Sequence, residues 1–206
     1  MKAAGSGASV WARIDHHIFE GILGIGVLLV GLFGALIPVL GVTGPLPPLD
    51  TREVQIDGAA QVPGAVASGT VSLRGTHRAE LAVTDPGLGD RLLLAAPEVV
   101  HSFLVVTVLC LLMRMARTFR EGDVFVPANV RRLLRIALAV LLAGMVVPLL
   151  DMLTTKALVG GTSLEPAVVL TYTPSTTAML LSLLIAAAAD TFQHGARLRA
   201  DTEGLI

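Results

Sequence analysis

Leu133-Leu134-Arg135-Ile136-Ala137-Leu138-Ala139-Val140-Leu141-Leu142-Ala143-Gly144-Met145-Val146-Val147-Pro148-Leu149-Leu150-Asp151-Met152-Leu153 carries one charge near its start and one near its end. At about 1.5 Å per residue, a helix of this length spans roughly 30 Å, the thickness of the bilayer hydrocarbon core. A lone segment in lipid must satisfy its own backbone N–H and C=O groups, and a helix does so. Pro148 lacks an N–H and predicts a kink near the Asp151 end.

Reading outward, residues 18–40, 97–117 and 175–193 repeat this character, the first with one early acid, Glu20. Hydrophobic residues make up 53% of the chain and charged residues only 15%, with a mean hydropathy of +0.75. That excess of aliphatic surface is more than a soluble domain of this size can hide. The expected fold is an all-α membrane protein, a four-transmembrane-helix bundle with a small extracytoplasmic antiparallel β insertion between helices 1 and 2. The first run exceeds the apolar stretch of a cleaved leader and exits into Pro38, Pro45, Pro47 and Pro48, which favours an uncleaved signal anchor. Cys110, the single cysteine, lies inside an apolar run and excludes an intramolecular disulfide or a cysteine zinc site.

Orientation follows from the basic residues beside the spans. The 118–132 loop and its edges hold Arg114, Arg117, Arg120, Arg131, Arg132 and Arg135, whereas the 154–174 loop has only Lys156. Residues 1–17 contribute Lys2 and Arg13, and 194–206 contribute Arg197 and Arg199. Both ends and the arginine loop are therefore expected in the cytoplasm, in the inner (plasma) membrane. The long loop 41–96 counts little in this rule, and its four arginines are offset by six acids.

Within 41–96, the stretches 53–57, 70–74 and 78–84 alternate polar and apolar residues, with turn signals at Asp57-Gly58, Arg74-Gly75 and Asp85-Pro86-Gly87. Three short strands resting on the membrane domain are expected. The strand-like run Ala167–Tyr172 is a candidate to join them. Small residues recur at Gly24, Gly31 and Gly34, at Ala139 and Ala143, and at Ala178, Ser182 and Ala186, a pattern that lets helix backbones approach in lipid. Those stripes predict that the intramembrane acids face protein.

Polar residues near the spans are the candidates for chemistry. Glu98 and His101 share a helix face, Asp151 lies near the same end, and Asp190 sits in the fourth span. Ionisable groups inside a membrane mark functional sites by default, and the first three suggest a proton or metal site; at headgroup depth they would instead be solvated. His16 and Glu20, at i,i+4 spacing, suit a helix start or ion pair. No metalloprotease, nucleophile-elbow or phosphate-loop motif occurs, so no enzyme, cofactor or metal is expected. Six arginines beside a bilayer meet lipid headgroups rather than nucleic acid. Pro127 suits a first helical position, which would let Asn129, Arg132 and Arg135 face a partner.

Arg120-Glu121-Gly122-Asp123-Val124-Phe125-Val126-Pro127-Ala128-Asn129-Val130-Arg131-Arg132-Leu133 and the ending Asp190-Thr191-Phe192-Gln193-His194-Gly195-Ala196-Arg197-Leu198-Arg199-Ala200-Asp201-Thr202-Glu203-Gly204-Leu205-Ile206 resemble the domain of unknown function 2975 family of small bacterial four-helix membrane proteins. The first is similar to a Gly-x-x-Phe-x-x-x-Asn-x-x-Arg-Leu pattern, with Val126 where a capping Ser or Thr is common. The second is similar to a Phe-x-x-Gly-x-x-Leu turn before an acidic tail, with Asp190 where Glu is usual. Members are largely uncharacterised, and many are encoded beside a small helix-turn-helix regulator. Read physically, Gly122 and Gly195 are expected as turns at helix ends and Phe125 as an anchor at the bilayer surface. A partner surface is expected from Gly122, Phe125, Asn129, Arg132, Gly195, Arg199, Asp201 and Glu203. The expected function is a non-enzymatic membrane regulator or sensor. The alternative is a small transporter or transporter subunit using Glu98, His101, Asp151 and Asp190, for which homo-oligomerisation would be needed.

Overall fold

The structure, a computed structural model, describes residues 18, 20–47, 50–56, 67–68, 71–72, 78–120 and 126–203. Four helices are long and apolar enough to cross a membrane: α1 (Glu20–Thr43), α2 (Leu88–Arg120), α3 (Pro127–Val159) and α4, which runs Thr176–Glu203. At 33 residues each, α2 and α3 are roughly 50 Å long and outreach a hydrocarbon core of about 30 Å.

Helix ends explain why the elements outrun their apolar runs. α2 begins nine residues before Pro97, where the carboxylate of Asp90 accepts the Gly87 N–H at 3.0 Å. Asp85 precedes this turn in the left-handed region at φ 51°, which a short polar side chain tolerates. Pro127 opens α3 at its first turn, and Val126 before it makes no side-chain cap. α1 ends at Gly44, whose φ of 105° needs a glycine and whose N–H closes the helix on Leu40 O at 3.0 Å. α4 passes straight through Gly195, so this glycine is not the expected turn. The helix-forming run Ala196–Ala200 follows it and outweighs the roughly 1 kcal/mol that a mid-helix glycine costs.

Between α1 and α2, strand β1 (Thr51–Gln55) pairs antiparallel with β4 (Arg78–Ala82), with Glu53 opposite Glu80. The strands β2 (Ala67–Ser68) and β3 (Val71–Ser72) pair separately, so among the described residues the expected three-stranded sheet is not made; Asp57-Gly58 and Arg74-Gly75 lie outside the described residues. The run after α3 joins β1 through one bridge, Ile56 to Val168, with Val169 N–H donating to Gln55 O at 2.8 Å. Val54 and Leu81 turn inward and pack with Val159, which is 1% exposed at the end of α3. The sheet thus rests on a helix end, since two short strands cannot build a core of their own.

The helices stand in chain order. α1 packs on α2, α2 on α3 and α3 on α4. The main core, Leu111, Met115 and Ile136 with Val140 and Ile185, lies between α2, α3 and α4. At the same end Phe119 of α2 stacks on Phe192 of α4 with ring centroids 6.3 Å apart.

Two glycines allow the closest approaches. A Cβ at Gly34 would collide with Ser102 of α2, and one at Gly144 would lie 2.5 Å from the Ala178 Cβ of α4. Gly24 and Gly31 meet no atom within 4 Å, so their stripe is not an interface within this chain. Gly144→Ala is expected to destabilise the α3–α4 pair by about 1–3 kcal/mol, the usual cost of overpacking. Adding Ala178→Gly should return most of the loss, as measured by detergent-titrated unfolding of the two single variants and the double variant.

Candidate functional site

An intrahelical proline has a fixed consequence: the carbonyl four residues earlier loses its donor, and the ring pushes on the turn around it. Pro97 frees Leu93 O in α2, and Pro148 frees Gly144 O in α3. Neither carbonyl is left unmade. Arg52 Nη2 donates to Leu93 O at 2.7 Å and to Leu94 O at 2.8 Å. Ser175 N–H donates to Gly144 O at 2.9 Å, and the Tyr172 hydroxyl donates to Met145 O at 3.2 Å. Each loop at this end of the molecule is fastened to a proline-opened turn of a long helix.

Arg52 does more than fill the gap in α2. Its Nη1 donates to Thr154 Oγ1 at 2.7 Å and to Thr155 Oγ1 at 3.2 Å, and it lies 3.7 Å from Asp151 Oδ1. One planar guanidinium thus joins β1, α2 and α3, a task suited to a rigid fork of donors. Its side chain is only 9% exposed. Burial pushes its pKa down and Asp151 pushes it back up, but an arginine starts so far above neutral pH that the charge persists.

Arg52 was not among the residues singled out in the sequence, although a signal was there. Along β1 the residues facing the helices are Arg52, Val54 and Ile56, so the alternation that marks the strand also places an arginine on its apolar face. The partners of that arginine come from positions about forty and one hundred residues away, where no local pattern points.

The other candidates separate. Asp151 faces Arg52 and stays half-exposed at 55%, and among the described residues no three His, Cys, Asp or Glu side chains gather as a metal site. The grouping of Glu98, His101 and Asp151 is therefore not formed. Glu98 and His101 share one face of α2, both exposed beside α1, and His101 also borders α3 and the start of α4. Asp190 is exposed and pairs with His194 at 3.6 Å, so neither it nor Asp151 turns into the protein as the small-residue stripes suggested.

At the arginine-rich end, Asn129 is 0% exposed and its side-chain oxygen accepts from Arg132 Nη1 at 2.8 Å. The same nitrogen reaches Thr118 Oγ1 at 2.6 Å and Arg114 O at 3.1 Å. This pair staples the end of α2 to the start of α3, and a partner touching Asn129 would have to open that staple. Arg120 reaches Glu20 of α1 at 3.4 Å. Arg114, Arg117, Arg131, Arg135, Arg197 and Asp201 are exposed here. Gly122, Phe125 and His16 lie outside the described residues, as do the side chains of Arg199 and Glu203.

A family model described as Protein of unknown function (DUF2975) matches residues 75–206, well over half the chain, and the chain belongs to that family. No curated protein and no solved structure matches it. The matched region takes in β4 and α2 to α4, whereas Arg52 and α1 lie before it.

Arg52→Met should leave two carbonyls and two threonines short of a charged donor and loosen the sheet by on the order of 2–3 kcal/mol. Hydrogen exchange at 51–55 and 78–82 would rise, while the core around Leu111 stays protected. Arg52→Lys should not restore protection, because one ammonium cannot span both helices.

Proposed function

We propose that this member of the family is a non-enzymatic regulator or sensor of the bacterial inner (plasma) membrane, whose sheet end senses and whose opposite end holds a protein partner. The basic flanks support an arrangement with both ends and the 118–132 loop in the cytoplasm and the sheet outside. The carrying observation is the Arg52 junction, which makes the sheet, α2 and α3 one mechanical unit. A stimulus that prefers one placement of the sheet would shift the two helices with it, since a ligand moves an equilibrium by its differential affinity.

The far end is built to read such a shift. α2 and α3 run past the bilayer thickness and are stapled there by Arg132, and the Phe119–Phe192 stack brings in α4. Beyond that stack α4 carries exposed Arg197 and Asp201, a mixed-charge surface suited to a protein. A small helix-turn-helix transcription factor is the expected kind of partner; the regulator itself makes no direct contact with nucleic acid. A second reading, a small transporter subunit, draws on Glu98 and would require more than one copy of the chain.

Affinity purification in mild detergent from native membranes should recover a small helix-turn-helix protein in comparable amount, and deleting 197–206 should remove it. Recovery of the chain alone, or with transporter subunits, would reject the regulator reading. On a Cys110→Ser background, Ser163→Cys should react with an impermeant maleimide on intact cells, whereas Asp201→Cys should react only after lysis. The reverse pattern would invert the topology.

A further inference from the structure

Three polar residues mark the sheet end of one face of the molecule. Glu98 of α2 stands one turn past Leu94, whose carbonyl accepts from Arg52 at 2.8 Å. His101 follows three residues later and lines a cavity together with Ser175, the residue just before α4. Glu98 and His101 are both exposed. At this level the polar Arg52 junction gives way to apolar helix flanks, which is the headgroup level of a bilayer.

Below these residues runs an apolar trough. A cavity of about 410 Å³ opens between α1 and α2, and one of about 320 Å³ between α2, α3 and the start of α4. His101 and Val105 line both, so the two cavities flank one stripe of α2. Leu29 and Phe33 wall the first, and Ala143 and Ala178 wall the second. On the α1 side, the π-helix from Val30 to Leu36 carries Phe33 into that wall. α1 comes back onto α2 at Gly26, where an added Cβ would lie 3.5 Å from Leu109. Leu109 is eight residues past His101, about 12 Å further into the hydrocarbon.

The mouth of the trough carries both signs of charge. Among the described residues no basic side chain lies within 4 Å of the Glu98 carboxylate, so its negative charge is unmatched. Toward α4 the sign reverses. Ser175 Oγ accepts the Ala178 N–H at 3.3 Å, which leaves its O–H as a donor. The His101 ring supplies a second donor beside it, and the N-terminus of α4 adds partial positive charge. At i,i+3 spacing, Glu98 and His101 stand about 5–6 Å apart at Cβ, on the scale of the two-carbon link between a phosphate and an ammonium.

We propose that this trough holds one molecule of phosphatidylethanolamine, with its ammonium on Glu98, its phosphate between His101 and Ser175, and one acyl chain in each cavity. A diacyl lipid has one head and two tails, as the trough has one mouth and two cavities. A primary ammonium donates hydrogen bonds to a carboxylate, and such charge-assisted bonds are the strong ones. The quaternary ammonium of phosphatidylcholine has no N–H to donate, and phosphatidylglycerol brings no cation. The inference stands on the trough and its mouth, and does not depend on the partner-holding role of the other end.

The test uses the full chain in nanodiscs of equal parts phosphatidylethanolamine, phosphatidylcholine and phosphatidylglycerol with the same acyl chains. Native mass spectrometry then counts the lipid retained on release. One phosphatidylethanolamine should be retained about threefold over either competitor, the scale of an exposed ion pair. Glu98→Gln should bring phosphatidylethanolamine and phosphatidylcholine to equal retention while a lipid still stays bound, which loss of fold would not do. Val105→Phe, which narrows both cavities, should lower retention of all three lipids. Asp190→Asn, an exposed acid on α4 already paired with His194, should keep the wild-type preference. Helix content and elution volume establish that each variant is folded. Equal retention of the three lipids by the wild type would mean annular lipid only and overturn the proposal, as would an unchanged preference in Glu98→Gln. Preference for phosphatidylglycerol would also overturn it, by assigning the mouth to an anion.

Discussion

The structure depends on the carbonyls that two prolines set free. In lipid a helix cannot leave a C=O unmade without a cost of several kcal/mol, so a proline inside a long helix demands an outside donor. Here Leu93 O takes its donor from Arg52 and Gly144 O from Ser175. The demand arises within the helices and is met by the segments between them. This ties the sheet and the α3–α4 connection to fixed turns of α2 and α3, and β1 need not hold its place by hydrophobic contact alone.

Around those fastenings small residues set where helix backbones come closest. Gly34 and Gly144 each admit one close approach, at Ser102 and at Ala178. Larger side chains fill the rest, and α2, α3 and α4 share the core of Leu111, Met115, Ile136, Val140 and Ile185. Lipid supplies no hydrophobic drive between helices, so van der Waals packing and the polar links of Arg52 and Arg132 hold them together.

Much of this was legible beforehand. The four apolar runs and the start of α3 at Pro127 follow from residue type and spacing alone. The helices extend past those runs, because α2 starts earlier and α4 continues later on polar but helix-favouring residues. The candidate site was less legible. Asn129 and Arg132 stand out in the sequence as basic and polar, features that suit a surface, yet they satisfy each other and the end of α2. Glu98 and His101 share a helix face as their spacing implies, but their place beside α1 depends on where Gly34 meets Ser102.

By itself the sequence determined the class and the number of apolar helices, since these are properties of local composition. Only the tertiary structure decided that α2 begins before Pro97, which groups answer the freed carbonyls, and that α2, α3 and α4 share one core. The physical reason is range: backbone hydrogen bonding and hydropathy act over a few residues. The partner of a freed carbonyl can instead come from any part of the chain that reaches it, as Arg52 does from 41 residues away.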